Sequence, residues 1–213
     1  MVNGAQRTVR RAAARRTLGT GLLWLIAMAT PVHAQEVRRG FIGLDIGPSQ
    51  PIGAFARESN APGAGNARAG YTSTLVNIGW RRTERWGVAG FLAYSEYFMH
   101  NTDGIDDDWW QVAFVTAGPM YTIPLSAKAA LDLKGTLGLA ALTPVFDSFA
   151  SSGGTGAGLA IDVRATLRYD ILHRWAVFAE AGMQSANVSF SDGGRQQYRA
   201  LIGGFGIAFR PQW

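Results

Sequence analysis

The 213-residue sequence contains no cysteine. Disulfides, thiolate nucleophiles and cysteine-ligated metals are therefore excluded. Charge is sparse, at 16% of residues, while hydrophobic residues make up 47%. That balance excludes a disordered chain, which needs the reverse. Long apolar runs are also missing. The clearest, Leu22-Leu23-Trp24-Leu25-Ile26-Ala27-Met28-Ala29, falls well short of the roughly 20 residues of a spanning helix. No glycine-rich phosphate loop, dinucleotide fingerprint or zinc spacing appears, so no cofactor is implied. What is present is 27 Gly and 11% aromatics, a composition of strands and turns, in a length that suits one domain.

Residues 1–34 carry Arg7, Arg10, Arg11, Arg15 and Arg16 without an acid, then the apolar run, then Pro31 and Val32-His33-Ala34. A basic start, a short apolar core and a small-residue end predict a secretory signal peptide cleaved after Ala34. The formal charge of +5 then belongs to the leader. Without its five arginines the basic count is 20 − 5 = 15, against 15 acids. The expected mature chain, 35–213, is neutral, and a nucleic-acid partner loses its electrostatic basis.

That chain reads with a period of two. Leu159, Ile161, Val163, Ala165, Leu167, Tyr169 and Ile171 alternate with Asp162, Arg164, Thr166, Arg168 and Asp170. Successive side chains of a strand point to opposite faces, so this segment has one apolar and one charged face. The same reading along the chain predicts eight strands: Arg39–Gly47, Gly70–Arg82, Trp86–Met99, Trp109–Ile123, Ala130–Leu142, Leu159–Ile171, Trp175–Phe190 and Gln196–Arg210. Several are long enough to cross a bilayer at a tilt, which takes about 9–11 residues. Short connections (Thr83–Arg85, Pro124–Lys128, Leu172–Arg174) alternate with mostly longer ones.

Alternation suits a soluble barrel as well, with the apolar face inward. Aromatics near strand ends (Trp80, Trp86, Trp110, Tyr121, Trp175) favour the inverted arrangement, because such rings settle at membrane interfaces. So does the alternating C-terminal run Leu201, Gly203, Phe205, Ile207, Phe209, Pro211, Trp213. The fold class expected is an all-β, eight-stranded antiparallel up-and-down transmembrane barrel, with short periplasmic turns and mostly longer extracellular loops.

The opening Gly40-Phe41-Ile42-Gly43-Leu44-Asp45-Ile46-Gly47, the pair Trp109-Trp110, the run Gly118-Pro119-Met120-Tyr121 and the C-terminal alternation resemble the OmpA/OmpX-like superfamily of small outer-membrane barrels. The resemblance implies residence in the cell outer membrane. It implies contact with its lipids and lipopolysaccharide, and a monomeric state. Phe205, Ile207, Phe209 and Trp213 would form the signal read by the barrel-assembly machinery.

With polar faces inward, the lumen would gather Asp45, Asn77, Arg81, Asp132, Lys134, Asp162, Arg164, Arg168, Asp170, Glu180 and Gln184. An eight-stranded barrel is just wide enough for side chains to fill it, so these charges are expected to pair and plug it. That points to a structural or surface-interaction role. A narrow channel for small solutes is the alternative. A lipid A- or phospholipid-modifying enzyme is third, because His100 lacks a recognisable Ser–acid set beside Ser95 and Glu96. The acidic segment Asn101, Asp103, Asp106, Asp107, Asp108 lacks the ligand frame of a calcium loop. Pro48–Ala69 reads as flexible surface.

Paired substitutions test the facing. Val163→Arg is expected to block insertion, since a cation on the lipid face costs about 2–4 kcal/mol at the midplane. Arg164→Ala is expected, from the sequence, to permit it. Heat-shifted migration on SDS gels of outer-membrane fractions reads both, and normal assembly of the Val163 variant would reverse the assignment.

Overall fold

The computed structural model describes residues 40–59, 63–100, 108–146, 151–152 and 154–211. The expected leader (1–34), Asn101, Asp103, Asp106, Asp107 and Trp213 lie outside the described residues. The strands are β1 (Gly40–Pro51), β2 (Ala67–Arg81), β3 (Trp86–Met99), β4 (Trp109–Pro124), β5 (Ala129–Phe146), β6 (Ser151–Ser152), β7 (Gly156–Asp170), β8 (Trp175–Ser189) and β9 (Arg195–Phe209). The two-residue β6 only extends the β5 edge, pairing with Val145 and Phe146. The other eight run in the order β4-β3-β2-β1-β9-β8-β7-β5, and a β4–β5 ladder closes the ring. Every pairing is antiparallel. Among the described residues no helix is long and apolar enough to cross a membrane.

The facing is inverted relative to a soluble barrel. Leu137, Leu159 and Phe205 point outward with 67%, 78% and 74% of their surfaces exposed. Asp132, Asp162 and Gln184 point inward with none. Leucine and phenylalanine exposed to this extent, contiguously around a barrel, make a surface suited to hydrocarbon.

Short hairpins close one end. At Arg82–Arg85, the Arg82 and Thr83 amides donate to the Trp86 carbonyl, while Thr83 Oγ1 accepts the Trp86 amide at 2.9 Å. At the opposite end, the segment expected to be flexible surface is hydrogen-bonded in its described residues, 48–59 and 63–69. β1 continues through Pro48 to Pro51, and β2 begins at Ala67, so the connection is 52–66. Its described residues, 52–59 and 63–66, fold back over the barrel mouth. The Gly65 amide donates to Ala54 and the Ala67 amide to Phe55, while Trp110 Nε1 donates to the Gly65 carbonyl at 2.7 Å. Phe55 is fully buried. Glycine is required at 65, since a Cβ there would stand 2.4 Å from the Phe55 carbonyl oxygen. A composition rich in Gly, Ala and Pro signalled flexibility, but one aromatic anchor and the Gly65 and Ala67 amides hold the described residues in place.

The β1–β9 seam has its own constraint. Its ladder passes from Ile46↔Phe205 to Ser49↔Ile202, leaving Gly47 and Pro48 out. A Cβ on Gly47 would lie 2.1 Å from the Gly203 carbonyl oxygen, so the strands meet there only because residue 47 has no side chain. Gly47→Val is therefore expected to destabilise the closed barrel by about 1–3 kcal/mol, the cost of an overpacked site. A lower urea midpoint for loss of the heat-shifted band would show it, and an unchanged midpoint would mean the seam relaxes freely.

Candidate functional site

Among the described residues, polar and charged side chains concentrate in the interior. Five cations (Arg81, Lys134, Arg164, Arg168, Arg210) and five carboxylates (Asp45, Asp132, Asp162, Asp170, Glu180) occupy it or its rim. Strand parity brings them there, every second residue of β5, β7 and β8 pointing inward. Arg164 is the hub. Its Nε donates to Asp162 Oδ1 at 2.8 Å and its Nη2 to Asp162 Oδ2 at 2.7 Å. Its Nη1 donates to Glu180 and to Thr74 Oγ1. Arginine suits this position because its planar fork serves several acceptors at once.

Neutral amides extend the network. Asn77 Nδ2 donates to Glu180 Oε2 at 3.2 Å and its Oδ1 accepts from Lys134 Nζ at 3.1 Å. Gln184 Nε2 donates to Asp162 at 2.9 Å, and Gln184 Oε1 accepts from Tyr198 at 3.1 Å. A second pair lies toward the short-turn end. Arg168 Nη1 donates to Asp132 Oδ2 at 2.5 Å, and Thr122 donates to Asp132 Oδ1 at 2.7 Å. At that rim Asp170 accepts from Arg210, with Arg81 half-buried nearby.

Aromatic rings interleave with the cations. Phe91 has Arg164 at 4.1 Å and Lys134 at 5.1 Å from its centroid. Phe41 has Lys134 at 5.1 Å and Arg168 at 5.2 Å. Three cations thus share two ring faces, which offsets part of their mutual repulsion. Toward the loop-bearing mouth the filling turns apolar and aromatic. Phe55 packs edge-on to Tyr97 at 5.3 Å and against Tyr198 at 4.9 Å. Tyr97 and Tyr198 share a hydrogen bond of 2.6 Å, and Tyr97 another with Ser49 at 2.5 Å. Met120 and Phe178 join Phe41 in a second apolar layer.

The structure therefore brings together the expected set Asp45, Asn77, Asp132, Lys134, Asp162, Arg164, Arg168, Glu180 and Gln184, with Arg81 and Asp170 at the rim. It adds Phe41, Phe91, Tyr97, Tyr198, Phe55 and Arg210, which charge-based reading missed. Parity was the available signal for Phe41 and Phe91, since each lies four residues from a luminal residue of its own strand, Asp45 and Ser95, and so on the same face. No comparable signal existed for Phe55, which reaches the lumen from a loop. The residues considered for catalysis do not assemble. Ser95 is buried against Thr72 at 2.8 Å. Glu96 accepts hydrogen bonds from Tyr71 and Tyr94. His100 instead accepts from Arg68 at Nδ1 and faces Glu58 with Nε2 at 3.8 Å. Among the described residues no group of three or more metal-capable side chains gathers.

A closed eight-stranded antiparallel sheet with an apolar exterior and a packed polar interior defines the class: this is the fold of the small outer-membrane barrels. The chain is similar to the crystal structure of Neisserial surface protein A, with a TM-score of 0.57 and 11% identity, covering 81% of this chain and 97% of that one. Ail, the attachment invasion locus protein of Yersinia pestis, matches with a TM-score of 0.45 and 17% identity over 80% of this chain and 98% of that one. OprG of Pseudomonas aeruginosa gives 0.43 and 12% over 83% and 100%. No family model and no curated protein matches the sequence. Phe205, Ile207 and Phe209 lie on the outward face of β9, in line with the apolar belt.

The hub changes one expectation. Arg164→Ala, harmless by facing alone, strands two buried carboxylates and is expected to cost about 3–5 kcal/mol. Unfolding midpoints in detergent would register that loss. A variant as stable as the parent would show that the carboxylates find other partners.

Proposed function

We propose that this protein is an outer-membrane barrel with a sealed lumen, acting through its outer surface as a structural or surface-interaction element. One observation carries the reading: the interior is filled along its length. The Phe55–Tyr97–Tyr198 cluster occupies the mouth, the Arg164 network the middle, and the Phe41–Met120–Phe178 layer and the Arg168–Asp132 pair the far end. Cations and carboxylates balance, so no charge selectivity is built in. At the mouth, Phe55 of the connection after β1 is buried among Tyr97, Trp110 and Tyr198.

Export through cleavage after Ala34, recognition of Phe205, Ile207, Phe209 and Trp213 by the assembly machinery, and a monomer contacting lipid and lipopolysaccharide complete the proposal. The charge of the connections agrees with a loop side facing outward. Glu58, Asp103, Asp106, Asp107, Asp108, Asp147 and Asp192 lie in the longer connections, against Arg57 alone. An acidic outer face meets lipopolysaccharide phosphates through divalent cations rather than directly. The reading is non-catalytic, supported by the separation of His100 from Ser95.

Planar-bilayer recordings test the seal. The parent and Phe55→Ala are both expected to be electrically silent, because the Arg164 layer lies beneath the aromatic one. Discrete conductance steps in the parent would favour the solute-channel reading. Steps in Phe55→Ala alone would move the seal to the mouth.

A further inference from the structure

The outer wall is not uniformly convex. A trough of about 670 Å³ crosses it from Trp86 on β3 to Leu201 on β9. Its floor is made by the outward-facing small residues Gly135, Ala165 and Ala181. Lys134 and Arg164 border it, but their charged ends are turned into the lumen. The trough crosses five inter-strand steps of about 4.8 Å, roughly 24 Å in all. One lipid tail spans about half of a ~30 Å hydrocarbon core, so the trough has room for a tail laid along it.

The Trp86 end is polar and cationic. Trp86 and Tyr121 pack edge-on at 4.8 Å, and exposed Arg85 donates to the Tyr121 hydroxyl at 3.5 Å. Trp and Tyr sit at headgroup level in membrane proteins. Around this rim the turns 82–85, 125–128 and 171–174 carry Arg82, Arg85, Lys128 and Arg174 against Glu84 as their single acid. Apolar trough, interfacial rings and a basic rim follow one another in the order tail, glycerol and phosphate.

We propose that this wall binds one anionic phospholipid, a tail in the Gly135 trough and the phosphate at Arg85. The inference rests on the reading of this wall as lipid-facing. The short-turn end, proposed as periplasmic, assigns the lipid to the inner leaflet. Arginine suits a phosphate oxygen because its fork can donate two parallel hydrogen bonds. The net positive rim favours phosphatidylglycerol over the zwitterionic phosphatidylethanolamine.

Native mass spectrometry of the detergent-solubilised full chain, titrated with either lipid, provides the test. The parent is expected to retain one phosphatidylglycerol more strongly than phosphatidylethanolamine. Gly135→Leu fills the trough. An added Cβ there meets nothing within 4 Å, so the barrel has room for it. It is expected to reduce retention of both lipids about tenfold, and Arg85→Gln to reduce that of phosphatidylglycerol alone by a similar factor. Ala113→Leu, outward on β4 away from the trough, should leave both unchanged. Equal retention by all four proteins, or none by the parent, would overturn the proposal. So would a parent dimer abolished by Gly135→Leu, which would give the trough to a second copy. Loss of the heat-shifted band in the parent would instead defeat the barrel reading itself.

Discussion

A peptide N–H or C=O in hydrocarbon has no water to bond, and each one left unpaired costs several kcal/mol. A sheet meets that condition only if its edges find each other, as the first and last strands, β1 and β9, do here. Closure fixes the remaining geometry. It makes one face of every strand lipid-facing and the other luminal, so the two-residue period of the sequence becomes an inside and an outside. It also makes glycine necessary where backbones approach at the seam, as at Gly47 against Gly203. The apolar exterior is thus a consequence of closure in that medium, in the way a core is a consequence of folding in water.

Inside, the same medium removes the usual refuge of a charge. A carboxylate in this lumen cannot rely on bulk water, so it takes a cation or an amide at short range, as Asp45 takes Asn77 Nδ2 at 3.4 Å. Asp162 and Glu180 share Arg164, and Asp132 takes Arg168. The cations in turn crowd one another, and Phe91 and Phe41 lie between them. Such an interior is rigid because its parts are interdependent. Moving Arg164 aside would unpair two acids and uncover a ring face together. A solute path through it would have to break several of these contacts at once.

The strands were legible because facing leaves a mark on every residue. β3 runs Trp86–Met99, as alternation gives it, and the luminal set Asp132, Lys134, Asp162, Arg164, Arg168 and Glu180 follows from parity alone. Parity fails where an extra residue enters. In β2 the register shifts between Thr74 and Val76, so inward positions pass from Thr72 and Thr74 to Asn77 and Gly79. Leu75 and Val76 then both face outward. Which carboxylate meets which guanidinium depends on stagger between strands, and alternation within one strand carries no such information. The β1 extension across Pro48 was hidden for a related reason. Proline and glycine mark turns in isolation, whereas here Gly47 and Pro48 fall where the β1–β9 ladder is already interrupted.

The two ends of the barrel differ in what they can do, and the difference follows from connection length. Four-residue turns leave the short end little besides the side chains they carry, so its character is set by Arg82, Arg85, Lys128 and Arg174. The connection 52–66 has residues enough to return to the lumen, and it uses Phe55 for that purpose. Once anchored, its remaining residues are held above a rigid scaffold. Asn66, at φ 50°, accepts the Ser59 amide with its side chain and turns the chain toward β2. Glu58 from this connection and Arg68 from the start of β2 then flank His100. The filling of this mouth and the described residues of the connection are therefore coupled through Phe55, and loosening that anchor would alter both together.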